Sequence, residues 1–357
     1  MSVPDQAPDA APVLELIDAF RRSKTMFAAV SLGVFEALDE SPADCSSLAV
    51  RLLGDGAAPG PLERLLDACV GMGLLHKWDG VYANQPVAET YLCDRSPLSL
   101  TGYVLYSNEA LFPMWAHLED AVREGTHRWT QTFGWQGSLF EHFFKTDARR
   151  RSFLRGMHGF GLLSSPAVVA AFDLSRFRRL ADLGGGTGHL AIAACERYPQ
   201  LRAAVFDLPV VVGMAQDYVA ASAAHDRIEP IAGDFFRDDL PPADLYALGR
   251  ILHDWPEDRI RLLLSKISAA LPAGGALLIA EKLLDEDKSG PMPAHMQSLN
   301  MLVCTEGRER TPSEYRALLR EAGFDSVEGR RTGALVDAVL ARKASQQGRP
   351  LRRIFVH

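Results

Sequence analysis

Arg179-Leu-Ala-Asp-Leu-Gly-Gly-Gly-Thr-Gly188 places an apolar run ending in an acid directly ahead of a glycine loop, and His189-Leu-Ala-Ile-Ala-Ala-Cys-Glu-Arg197 follows with helical spacing. Strand, glycine turn and helix in that order open a doubly wound α/β sheet. The grammar then repeats: LRAAVFDLP, VVVGMAQDYVAA, IEPIAGDF, DLYALGRIL, EDRIRLLLSKISAAL and GALLIAEKLL alternate strand-like and helix-like stretches. This predicts a Rossmann-like, mostly parallel sheet with helices on both faces. DSVEGRRTGALVDAVLARK has no intervening helical stretch and predicts a closing antiparallel hairpin. Ligands of such sheets sit at the carboxyl ends of the strands, so the site is expected there.

Upstream the pattern differs. From Pro12 to about Leu100 apolar residues recur three and four apart, as in Val13, Leu16, Ile17 and Phe20, then Phe27, Val30, Val34, Phe35 and Leu38, which predicts amphipathic helices. Two more helical stretches follow, then Asp79-Gly80 between short strand-like pieces, a hairpin signal. Helices followed by a hairpin predict a winged-helix module, a fold that often binds DNA. Residues 1–110 carry seven Lys/Arg against fifteen Asp/Glu, a local balance of −8. That sign is wrong for a phosphate-binding face, so dimerisation or substrate covering is the expected role. The resulting division is an α-rich winged-helix dimerisation domain over 1–110, a helical bridge lining the pocket over 111–172, the Rossmann-like domain over 173–345, and a tail over 346–357. The bridge carries Trp115, Trp129, Trp135, Phe143, Phe144, Phe153 and Phe160.

The whole chain of 357 residues is 47% hydrophobic with a formal net charge of −7. It is long enough for a large core, and its charge argues against nucleic acid as a partner. Five cysteines form no CxxC pair and no Cys/His cluster at metal-ligand spacing, so reduced thiols, a cytoplasmic location and no metal are expected. No apolar run approaches the roughly 18 residues of a membrane span, and the start lacks the basic and apolar regions of a signal peptide.

Gly184, Gly186 and Gly188 give GxGxG rather than the GxGxxG of dinucleotide binders, with Asp182 two residues ahead of the first glycine. A carboxylate there would repel a pyrophosphate but accept hydrogen bonds from an ammonium group. Asp207, closing AVFDLP, is placed for ribose hydroxyls. Asp234, in AGDFF, can accept from an adenine amino group while Phe235 packs on the ring. An amino acid, a ribose and an adenine in line spell S-adenosylmethionine. The bland account is that each acid caps the helix after it.

DLGGGTG, VFDLP, GDFF, LHDWPED and SLNMLVCTEGRERT together resemble the small-molecule O-methyltransferases of the plant caffeate and animal acetylserotonin type, over about Leu14 to Lys343. The resemblance implies a homodimer, S-adenosylmethionine as cofactor and a small-molecule acceptor. It adds Leu208, Gly233, Arg250, Met157 and Phe144 to the cofactor side, with Arg250 expected to pair with a cofactor-site carboxylate. Met157 and the bridge aromatics read equally well as helical packing.

Within RILHDWPED, His253 lies beyond the fourth strand, at the same sheet edge as the acids. A phenol-like acceptor near pKa 10 and a histidine near 6.5 differ by about 3.5 units, roughly 4.8 kcal/mol of uphill proton transfer that a positioned base can manage. An aliphatic alcohol is a poorer match, so a phenolic, enolic, hydroxyindole or carboxylic oxygen is expected. The resemblance places Glu281 and Glu309 beside His253, and Asp254, Asn300, Met301 and Cys304 on the acceptor. Asp254 alternatively caps the helix at Pro256. Cys304 stands where related enzymes carry Gln or Asn, Phe144 where they carry Tyr, and Gly161 where they carry Trp or Ser. His158 and His189 are assigned no role. The competing functions are C- or N-methylation on the same fold and a cofactor-binding paralogue without turnover; a nicotinamide dehydrogenase fits the loop spacing least.

Overall fold

The computed structural model describes residues 8–136 and 146–345. The chain divides into two compact units after Ala110.

In the first unit the helices are α1 (Ala11–Ser31), α2 (Val34–Glu40), α3 (Cys45–Leu53) and α4 (Pro59–Gly71). The strand pair β2 (Leu75–Trp78) and β3 (Val81–Asn84) follows, and the short β1 (Ala43–Asp44) adds to its edge, giving the order β1-β3-β2. Asp79 and Gly80 both take positive φ, the turn a two-residue hairpin needs. Helices α5 (Pro86–Tyr91) and α6 (Thr101–Tyr106) complete the unit. Its core packs Phe35 and Leu38 of α2, Leu48 of α3, Leu62 and Leu66 of α4, and Tyr82 of β3. This is the helix-and-wing order expected from the sequence. One face of α1 stays in solvent: Val13, Leu14, Leu16, Ile17 and Phe20 are all more than half exposed.

The second unit starts with α7 (Phe112–Trp115), α8 (Leu118–Glu124), α9 (Trp129–Phe133) and α10 (Asp147–Ala170). Phe143, Phe144 and the tail over 346–357 lie outside the described residues. There follow β4 (Arg179–Leu183), α11 (His189–Arg197), β5 (Arg202–Asp207), α12 (Pro209–Ala221), β6 (Ile228–Ala232), β7 (Leu245–Gly249), α13 (Glu257–Ala270), β8 (Ala276–Glu281), α14 (Met292–Cys304), α15 (Pro312–Glu321), β9 (Ser326–Arg330) and β10 (Asp337–Arg342). The seven-stranded sheet runs β6-β5-β4-β7-β8-β10-β9. The first five strands are parallel to their neighbours, and β10 pairs antiparallel with both β8 and β9.

Successive residues of each strand enter opposite cores. Leu180, Val205 and Leu278 join the layer beneath α11, while Ala181, Phe206 and Leu277 join the layer beneath α13 and α15. Both faces are therefore covered, which is why these strands read as nearly unbroken apolar runs. Strand order reverses between β4 and β7, the switch point where a crevice opens at the carboxyl ends. Helix α14, which the sequence analysis read only as motif residues, and α15, which it did not read, follow β8.

Candidate active site

The first turn after β4 is built by glycine. Gly184, Gly186 and Gly188 all have positive φ, and a Cβ on Gly184 would lie 2.6 Å from the Ile251 side chain and 3.2 Å from the Phe235 ring. The loop thus lies close against two side chains from neighbouring strand ends. Asp207, last residue of β5, ties the loop down: its Oδ2 accepts from the Gly186 amide at 2.8 Å and its Oδ1 from the Leu208 amide at 2.7 Å. Asp182 is buried, and its Oδ2 accepts no hydrogen bond. Burial pushes its carboxyl up to about 7 and that of Asp207 up to about 6. A cationic amino group supplies what the bare acceptor on Asp182 lacks, so these residues fit the ammonium end of S-adenosylmethionine.

Asp234 accepts from the Phe236 amide at 2.8 Å and lies 3.6 Å from Arg237. Gly233 ahead of it packs flat on Phe206, whose ring would be 2.3 Å from a Cβ. The helix-capping account fails for all three acids: α11 and α12 begin at N-caps Gly188 and Leu208 without a side-chain hydrogen bond, and only a turn follows Asp234.

His253 sits in the single 3₁₀ turn Leu252–Asp254 that follows β7. Its Nδ1 is 2.7 Å from Glu309 Oε1, and both residues are buried. Its Nε2 makes no hydrogen bond among the described residues; Asp254 Oδ1 is 3.7 Å away, too far for one. With Glu309 ionised, Nδ1 carries the proton and Nε2 is left with a lone pair. Glu309 Oε2 is buried without a partner, and burial pushes the Glu309 carboxyl up to about 8 against the opposing pull of Arg250, Lys282 and Arg310.

Glu281 behaves differently from Glu309. Its Oε1 accepts from three consecutive amides, Ile251 at 3.1 Å, Leu252 at 2.6 Å and His253 at 3.1 Å, and its Oε2 accepts from the Tyr315 hydroxyl. One ligand-type atom from each of His253, Glu281 and Glu309 lies within 4.8 Å of the others. Yet Glu281 spends its hydrogen bonds on the backbone of the turn and on α15. Among the described residues, only Glu309 holds the imidazole.

The Asp254 side chain is 15% exposed, its carboxyl pushed up by burial to about 6. It does not cap the next helix, whose N-cap is Pro256 with no side-chain hydrogen bond. On α14, Asn300 Oδ1 accepts from Trp115 Nε1 at 2.9 Å and lies 3.6 Å from Cys304 Sγ. The Cys304 carbonyl accepts from Trp129 Nε1 at 2.7 Å. Burial, aided by Asp254, raises the Cys304 thiol far above its usual range, so it presents a neutral S–H. Met301 is buried beside them.

Arg250 is a correction. It was expected to pair with a cofactor-site carboxylate, but among the described residues it forms no ion pair. Held at φ +58°, it lies 4.3 Å over the Phe160 ring and points Nη1 at Met157 Sδ, 3.2 Å away. The ring and the sulfur are both soft, electron-rich neighbours, and together they stabilise a guanidinium that has no carboxylate within ion-pair distance among the described residues.

Residues 115–325 match the model of the O-methyltransferase domain, and residues 14–94 that of the O-methyltransferase dimerisation domain. The chain belongs to the O-methyltransferase family. Acetylserotonin O-methyltransferase of Bos taurus is 45% identical over 336 residues, covering 92% of this chain and 96% of that protein. A human protein described as a probable bifunctional dTTP/UTP pyrophosphatase/methyltransferase is 41% identical, covering 93% of this chain and 54% of its own length. The crystal structure of human N-acetylserotonin methyltransferase in complex with S-adenosylmethionine superposes with a TM-score of 0.88 at 38% identity, covering 96% of this chain and 100% of that one. The protein is thus an S-adenosylmethionine-dependent O-methyltransferase acting on a small molecule, with a Rossmann-like domain behind a helical dimerisation domain.

Two residues of this O-methyltransferase escaped the sequence analysis. Gly307 lets the loop carrying Glu309 lie on the backbone of His253, whose carbonyl oxygen would be 1.9 Å from a Cβ. Tyr315 looks like an ordinary core residue of an amphipathic helix, and nothing in its spacing points to Glu281. Gly307 alone carried a signal, as a glycine inside a motif rich in site residues.

Proposed function

We propose that His253 is the general base of this methyltransferase and that its acceptor is an acidic hydroxyl, phenolic, enolic or hydroxyindole, or a carboxylic acid. The observation that carries this reading is the 2.7 Å contact between His253 Nδ1 and Glu309 with Nε2 left free. Bound at Asp182, Asp207 and Asp234, S-adenosylmethionine supplies the electrophilic methyl group. Gly184, Gly186, Leu208, Gly233 and Phe235 shape that cradle, and Met157, Phe160 and Arg250 form its other wall, where Phe144 belongs by the resemblance. Nε2 takes the acceptor proton as the oxygen attacks, and Glu309 in its ionised form stabilises the imidazolium that results, so activity is expected to rise as pH climbs through about 8. Glu281 acts as a positioning residue. Asp254, Asn300, Met301 and Cys304 line the acceptor side. A thiol at 304 is smaller and a weaker hydrogen-bond partner than an amide, which favours a bulkier or less polar acceptor group there.

The segment over 111–172 serves as the bridge that covers the pocket, and 173–345 as the catalytic domain. The apolar stripe of α1 supports a homodimer built through residues 1–110. The described helices include none long and apolar enough to cross a membrane; the reading is of a cytoplasmic enzyme with no nucleic-acid or membrane partner.

A screen of phenolic, hydroxyindole and keto-acid acceptors for S-adenosylhomocysteine release tests the substrate class, and NMR of the product identifies the methylated atom. With an acceptor in hand, His253→Ala is expected to lower kcat by roughly 10²–10⁴ while cofactor affinity stays within a few-fold. Full activity of that variant at saturating cofactor would remove His253 from the mechanism.

A further inference from the structure

Two histidines assigned no role from the sequence link α10 to the glycine loop in opposite directions. His158, on the helix, has its Nδ1 2.8 Å from Thr187 Oγ1 in the loop, and its ring stacks on Tyr218 of α12 with centroids 3.8 Å apart. His189, the first residue after the loop, has its Nδ1 2.8 Å from Ser165 Oγ back on the helix. The ring of His189 occupies the space over Gly161, where a Cβ would lie 2.2–2.4 Å from its atoms. Thr187 and Ser165 are themselves buried.

Apolar side chains could fill this volume without needing partners, and they would tolerate sliding of one element along the other. Two directional hydrogen bonds, each satisfied only by a hydroxyl on the opposite element, permit one register. That register matters because α10 also carries Met157 and Phe160, the residues that hold Arg250. Burial pushes His158 down to about 4, and burial together with His158 and Arg250 pushes His189 down to about 3. Both rings are neutral at pH 7, so the link adds no charge beside Arg250.

We propose that the pairs His158–Thr187 and His189–Ser165, seated on Gly161, are a positioning clasp for S-adenosylmethionine that fixes α10 over the glycine loop and thereby sets cofactor affinity. The proposal rests on the reading that Asp182 and the loop from Gly184 to Gly188 hold the cofactor. Where related enzymes carry a larger residue at 161, this chain closes the same space with an imidazole supplied from the loop.

The test is calorimetric titration of S-adenosylmethionine and of S-adenosylhomocysteine into the full chain, with the apo melting temperature measured alongside. Thr187→Val and Ser165→Ala, which each remove a single hydroxyl, are expected to weaken both ligands by roughly three- to tenfold. Gly161→Ser is expected to weaken them further, and His189→Ala placed on top of it to restore affinity to that of His189→Ala alone. If Gly161→Ser fails to fold, the two hydroxyl variants decide. Affinities within twofold of the parent for both of them, with or without a lower melting temperature, overturn the clasp and leave only a packing role. Asp182→Asn separates the two readings: unchanged affinity there overturns the cofactor loop and the clasp with it, whereas lost affinity there with unaffected hydroxyl variants overturns the clasp alone.

Discussion

A buried carboxylate oxygen without a hydrogen-bond donor is costly, and Asp182 shows this at the scale of one residue. Its buried Oδ2 has no partner, and its carboxyl is raised to about 7. A group whose folded pKa lies above its unfolded value binds more protons when folded, so its contribution to stability is complete below about pH 4 and is lost as pH climbs through about 7. The apo protein is therefore expected to melt at a lower temperature at pH 8 than at pH 5.5, and Asp182→Asn to flatten that difference and raise the pH 8 value. The same substitution should reduce affinity for S-adenosylmethionine at least tenfold, because an amide cannot offset the ammonium charge. Calorimetry and thermal denaturation across that pH range check both halves; an unchanged melting profile would mean that Asp182 is already charged in the apo protein. Asp182, Asp207 and Glu281 were legible as positions because each stands in the last two residues of a strand read from an apolar run, and the glycines and His253 because they follow such runs, whereas Glu309 came only from the resemblance. Arg250 was legible as a position but not as a partnership, since cation–π and sulfur contacts leave no spacing rule in a sequence.

At the scale of elements, β8 and α15 hold the turn that bears His253. Glu281 ends β8, and its carboxylate gathers the three amides of Ile251, Leu252 and His253 while accepting from Tyr315. These contacts span 28 to 34 residues of sequence, and a side chain caught by distant backbone amides has no signature in composition or period. The sequence could therefore place Glu281 near His253 but not say which atoms it serves. Tyr315→Phe removes one of the four hydrogen bonds to Glu281 and leaves the packing volume intact. The expected outcome is a several-fold lower kcat with cofactor affinity unchanged and a shifted pH–rate profile, since losing a donor weakens the preference for ionised Glu281. A merely structural tyrosine would lower the melting temperature and leave the pH profile where it was. Helix α14 is held by different means, through Trp115 on Asn300 and Trp129 on the Cys304 carbonyl. Those indoles stood out in the sequence only as aromatic content of the bridge.

At the scale of the molecule, the alternation of strands and helices was enough to fix the class of the sheet, and the closing antiparallel hairpin was visible because no helical stretch separates β9 from β10. What the sequence left open was how far each helix covers the crevice, which depends on contacts between α10, α14 and the strand ends. The charge of residues 1–110 turned the reading of the winged-helix unit away from DNA, and the match to a dimerisation domain agrees with that turn. The exposed stripe of Val13, Leu16, Ile17 and Phe20 on α1 repeats every three to four residues, the pattern of a helix face meant for burial. Leu16→Glu with Phe20→Glu is expected to turn a dimer into a monomer in light scattering after size exclusion. A dimer that survives both changes would place the contact elsewhere.

The anchoring of His253 to β8 carries a consequence for how enzymes of this build diversify. Neighbouring strands keep a spacing of about 4.8 Å, so on the proposed mechanism the base at one strand end and the methyl donor at the others stand at a separation set by the sheet itself. No acceptor, large or small, can move that pair of reactants. On the same proposal, novelty in substrate comes from the surfaces that are not part of the sheet, α14 and the segment over 111–172, where an exchange such as Cys304 for an amide is expected to alter what is recognised and to leave the reaction alone. The chemistry would then be inherited as a fixed gauge, with the substrate chosen by the elements laid across it.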